Sequence, residues 1–132
     1  MIVGVGIDLV ETERIESAWK RFGERFVNRI LAVGEKEYCL SHRNPAPFLA
    51  ARFAAKEAVS KALGTGIGPL LGWQDIEVRH KESGAPYIEL HGKGLELLAH
   101  LKANVVHLTL THTATNSIAM AIVERLSEIT DA

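Results

Sequence analysis

The run from Phe48 to Leu63, FLAARFAAKEAVSKAL, constrains the fold more than any other stretch of the chain. It is rich in alanine, the residue that loses least on entering a helix, and holds neither glycine nor proline inside it. It stops at Gly64, the residue type suited to the left-handed position just past a helix end. These features predict one long helix over 48–63. The SHRNPAP segment before it carries two prolines, which disfavour helix around them, and predicts a break. The rest of the chain has to be arranged about this helix.

The first ten residues alternate as a strand: Val3, Val5, Ile7 and Leu9 on one face, Gly4, Gly6 and Asp8 on the other. Two glycines in a strand point to close approach by another backbone or a ligand. From Thr12 to Ile30 the apolar residues Ile15, Trp19, Phe22, Phe26 and Ile30 keep helical spacing, with a break expected near Gly23. A shorter helix is expected from Gly34 to Leu40. After the GTGIGPLLG loop, 75–79 and 87–90 read as two strands around a KESGAP turn, 94–102 as a short helix, and 105–112 and 117–123 as a final strand pair. Strands and helices without a βαβ rhythm predict the α+β class.

At 132 residues the chain suits a single domain over 1–132. A net charge of −1 draws it neither to nucleic acid nor to a membrane surface, so any charged partner must meet a local patch. The lone cysteine, Cys39, cannot form an internal disulfide and reads as a small apolar side chain in a reducing compartment. The opening MIVGVGIDLVE lacks a basic region and reaches an acid at Asp8, unlike a signal peptide. No apolar run approaches the ~18 residues of a membrane span, so the expected location is cytoplasmic.

Several groups of residues could carry chemistry. Asp8, on the glycine face of its strand, reads as a hydrogen-bonded structural group or a metal ligand. Glu57 and Lys61 share a helix face with Ala50 and Ala54. They form either an exposed i,i+4 ion pair or, with space cleared by the alanines, a place where carboxylate and ammonium meet a phosphate. The GTGIG residues 64–68 read either as backbone that wraps phosphates or as a helix C-cap with a flexible loop. His112 ends the strand row Val106, Leu108, Leu110, opposite the row of His107, Thr109 and Thr111. Arg14, Arg21, Arg25 and Arg29 line one stripe beside the apolar one, either a solvated face or a surface for an acidic helical partner.

Taken together, GVGIDLVETERIE and FAAKEAVSKALGTG, in this order and separation, resemble the two signature motifs of the holo-acyl-carrier-protein synthases, the small 4'-phosphopantetheinyl transferases. The GAPY segment and the terminal THTATNSIAMAIVER also match, so the resemblance covers essentially the whole chain. It implies the 4'-phosphopantetheinyl transferase fold, with an antiparallel sheet against the long helix. It implies transfer of phosphopantetheine from coenzyme A to a serine of an acyl carrier protein, serving fatty-acid biosynthesis. By the same resemblance Asp8 and Glu57 hold Mg²⁺, Lys61 contacts the coenzyme A phosphates, and Arg52, Gly64, Thr65 and His112 line the cofactor site. Threonines stand near His112 where the family usually has serines.

The resemblance further implies that Arg14 lies on the helix that meets the carrier and that the protein is a homotrimer with interfacial sites; the stripe itself adds Arg21 and Arg25 to the expected carrier surface. For the serine's proton, the candidate acceptor is Glu57 or a metal-bound water it holds. Two other readings use the same residues: a magnesium-dependent phosphohydrolase at Asp8 and Glu57, and a non-catalytic module that binds an acidic protein.

Overall fold

A computed structural model describes residues 1–127. The long helix, α4 (Ala46–Ala62), is the axis of the molecule. It begins two residues before Phe48 because Pro47 falls in its first turn, where a missing N–H costs no helical bond. Leu49, Ala50, Ala54, Ala55, Ala58 and Val59 are all fully buried, so neighbours cover this helix on nearly every side.

One neighbour is an antiparallel sheet in the order β1-β5-β4, from β1 (Ile2–Glu11), β5 (Asn116–Glu124) and β4 (Val105–His112). Gly6 pairs with Ala121 and Asp8 with Ala119, while Leu108 and Leu110 of β4 pair with the same two alanines. Small residues therefore form the centre of the helix-facing surface. A Cβ added to Gly4 would fall on the carbonyl oxygen of Ala62, and one on Gly6 on that of Ala58. The close approach signalled by the paired glycines is to the backbone of α4. Val3 does not share the row of Val5. A bulge between Ile2 and Gly4 breaks the register, and Val3 packs against the core instead.

The remaining elements wrap the helix. They are α1 (Thr12–Phe22), α2 (Glu24–Ile30), α3 (Val33–Leu40), a 3₁₀ turn at Trp73–Asp75, the hairpin β2 (Ile76–His80) and β3 (Pro86–Leu90), and α5 (Gly92–His100). The helix expected at 94–102 starts two residues early, after His91. Gly23, at φ 58 and ψ −133, separates α1 from α2, so the arginine stripe is divided between two helices. Ile15 anchors α1 and Val27 and Ile30 anchor α2 in the core. The α+β class and the antiparallel sheet on the long helix are as expected.

Candidate active site

The close seating of β1 on α4 brings Asp8 over the last turns of the helix. There Lys61 Nζ donates to Asp8 Oδ1 at 3.1 Å and to the Ile7 carbonyl at 3.0 Å. The i,i+4 ion pair between Glu57 and Lys61 does not form; the lysine reaches across to the strand instead. Glu57 is half-buried, and its carboxyl is raised above the ordinary range by burial first, then by the charge of Asp8, with Lys61 opposing. Two carboxylates close enough to repel and one half-exposed ammonium thus share one site. The oxygen donors fit a hard divalent cation, which would relieve the repulsion between them.

The GTGIG segment closes as a helix cap. The N–H groups of Gly64, Thr65 and Gly66 donate back to Lys61 and Ser60 carbonyls, and that of Gly68 to Leu71. The end of α4 uses three of these N–H groups and Leu71 the fourth, as the helix-cap reading of this segment expects. Gly64, at φ 90, is the left-handed residue just past the C-cap, Leu63.

His112 and Arg52 line one cavity of about 190 Å³ with Tyr38, Phe48 and His80. His107 is on the opposite face, bonded through Nε2 to Glu124 Oε1 at 2.8 Å. The ring of His42 stacks on Phe48, and the guanidinium of Arg52 lies 4.8 Å over Tyr38. His80 is held below the ordinary imidazole range by burial and, second, by Arg52. Arg14, Arg21, Arg25 and Arg29 are all exposed, and Arg21 lies over the Phe22 ring at 5.1 Å. Cys39 is fully buried, with its thiol pushed up to about 11 by burial.

Sequence reasoning missed the most deeply buried charges. Lys56 is fully buried and donates to Glu35 Oε1 at 2.6 Å, to the Ile30 carbonyl at 2.6 Å and to the Trp73 carbonyl at 3.1 Å. A signal was present: Arg52 and Lys56 interrupt the row Leu49, Val59, Leu63 at helical spacing. Also missed was a triad of Glu77, Glu89 and His91, whose ligand atoms lie within 4.8 Å of one another. It sits by the β2–β3 hairpin, away from Asp8, and Arg79 already pairs with both of its carboxylates.

A family model, the 4'-phosphopantetheinyl transferase superfamily, matches residues 4–123. The holo-[acyl-carrier-protein] synthase of Nitratidesulfovibrio vulgaris (strain DP4) is 47% identical over 124 residues, 94% of this chain and 99% of the relative. Among solved structures, the synthase of Neisseria meningitidis has a TM-score of 0.89 at 33% identity, covering 95% of this chain and all of the other. That of Helicobacter pylori, solved in complex with coenzyme A, has a TM-score of 0.81 at 34% identity, covering 91% of this chain and 99% of the other. On this likeness in sequence, extent and shape, the chain belongs to the 4'-phosphopantetheinyl transferase superfamily.

Proposed function

We propose that this protein transfers the 4'-phosphopantetheine of coenzyme A to a serine hydroxyl of an apo acyl carrier protein. The observation that carries this reading is the meeting of Asp8, Glu57 and Lys61 on the β1–α4 seam of a chain so similar to named carrier-protein synthases. The hydrolase and the non-catalytic module inferred as alternatives are not favoured, since these relatives are named as synthases and one of them is solved with coenzyme A.

In the reaction the serine oxygen forms a bond to the phosphorus that bears pantetheine. The bond from that phosphorus to the bridging oxygen breaks, and adenosine 3',5'-bisphosphate leaves. Asp8 and Glu57 would hold Mg²⁺, which when bound supplies positive charge to the pyrophosphate oxygens. Lys61, half-exposed and tethered by two hydrogen bonds, would steady the charge that grows on the leaving phosphate. Glu57, or a water it holds, is the candidate acceptor of the serine proton, since a serine hydroxyl is a weak nucleophile until its proton is taken. Arg52 and His112 line a separate cavity and would supply cationic or hydrogen-bonding groups for the rest of coenzyme A. Gly64 and Thr65, just past Lys61 at the end of α4, would border the cofactor, with their N–H groups engaged by the helix.

The finer assignments follow from the surface. Val5, Ile7 and Leu9 are 57%, 59% and 62% exposed on the sheet face away from α4, beside Ile118, Met120 and Ile122 of β5. So large an open apolar face suits a homotrimer with sites near the contact between subunits. The exposed Arg14, Arg21 and Arg25 suit the acidic surface of the carrier. One domain, acting in the cytoplasm where coenzyme A and carrier meet, completes the reading. No helix among the described residues is long and apolar enough to cross a membrane. The test is to incubate the protein with Mg²⁺, coenzyme A and apo-carrier and to weigh the carrier. Gain of one phosphopantetheine group supports transfer. An unmodified carrier with coenzyme A hydrolysed would support the hydrolase, and an unmodified carrier held in a complex would support the binding module.

A further inference from the structure

Glu35 and Lys56 form a buried ion pair on the side of α4 turned away from Glu57. Glu35 is 2% exposed and Lys56 fully buried. One carboxylate gathers four donors. Oε1 accepts from Ala32 N at 3.0 Å and Lys56 Nζ at 2.6 Å; Oε2 accepts from Val78 N at 3.1 Å and faces Arg52 Nε at 3.4 Å. Removing two charges from water is costly, and an apolar pair of similar size would stabilise a core at least as well. Stability alone therefore does not account for this pair.

The charges do not balance. Two cations face one carboxylate, and Lys56 holds it at the shorter distance while two carbonyls take its other protons. Arg52 is left with the looser contact. Its Nε makes no hydrogen bond among the described residues, its guanidinium lies over Tyr38, and it lines the cavities on both sides of that ring. We propose that the buried Glu35–Lys56 pair is a positioning device for Arg52. Glu35 orients the guanidinium through Nε, and Lys56 neutralises Glu35 so that the charge of Arg52 stays available to an anionic group of the ligand in the cavity bounded by Tyr38, His80 and His112. This rests on the reading of coenzyme A as the ligand.

The test is a double-mutant cycle read by calorimetric titration of coenzyme A, with kcat measured at saturating coenzyme A. Glu35→Gln should weaken coenzyme A binding about tenfold, equal to about 1.4 kcal/mol, and leave kcat within about twofold. In the Arg52→Ala background the same substitution should change nothing further, because Glu35 acts through Arg52. Should Glu35→Gln fold poorly, Glu35→Gln with Lys56→Met removes both buried charges together and should show the same loss, absent again without Arg52. Equal weakening with and without Arg52, or unchanged binding in both, overturns the proposal alone. Failure of the unsubstituted protein to bind coenzyme A overturns the functional reading and this proposal with it.

Discussion

At the scale of single residues, the site depends on what one side chain does to the next. Asp8 accepts from Lys61, and the charge of Asp8 raises Glu57. Asp8→Ala should cut transfer by about 10²–10³-fold with the circular-dichroism spectrum unchanged. Normal turnover by that variant at saturating coenzyme A and ordinary magnesium would remove Asp8 from the mechanism. Titration offers a second test. Burial and the Arg52 charge favour the neutral ring of His80 in the fold, below its ordinary value of 6.5. The stability linked to this ring is therefore complete above pH 6.5 and falls away as pH drops from there through the lower folded value. In histidine NMR spectra His80 should titrate below 6.5 and move part of the way back in Arg52→Ala. Cys39 and Lys56 show where residue type guides and where it misleads. The thiol is buried like an apolar side chain, as its type suggests, whereas a lysine, ordinarily a surface residue, is the largest fully buried side chain among the described residues.

At the scale of elements, contact between β1 and α4 assembles the site, and glycine permits it. Gly6→Ala would push a methyl group into the Ala58 carbonyl and should cost about 1–3 kcal/mol in urea unfolding. It should also lower transfer by parting Asp8 from Lys61. Full stability in that variant would mean that β1 can shift freely on the helix. The arginine stripe is likewise an element-scale feature, now divided at Gly23. Arg14 and Arg21 remain together on α1 and are the firmer pair. Charges exposed at an interface act over ~8–10 Å at physiological salt and mainly govern encounter. Arg14→Glu or Arg21→Glu should raise KM for the carrier and flatten its salt dependence, with KM for coenzyme A nearly constant. An unmoved carrier KM in both variants would make the stripe a solvated face.

At the scale of the whole molecule, the open apolar face of the sheet is the feature that one chain leaves unexplained. On the proposed homotrimer with sites near its subunit contacts, Ile7→Asp should give a monomer by light scattering and lower transfer. An unsubstituted protein that is monomeric at micromolar concentration would end the homotrimer reading. Much of the architecture could be read from the sequence because it is local. The alanine run, its Gly64 stop, the break at Gly23 and the alternating strands follow from propensity and spacing, which neighbouring residues determine among themselves. The pairing of Asp8 with Glu57 was available there only through the resemblance of two motifs. Alternation in β1 could not tell which face meets the helix. The structure puts the glycine face on α4 and leaves Val5, Ile7 and Leu9 open. Nor could spacing show that Lys61 would leave Glu57 for Asp8, or that Lys56 would find Glu35, Ile30 and Trp73 in the core. Those choices belong to tertiary structure, because a buried charge is tolerated only where distant segments bring enough partners to replace its water.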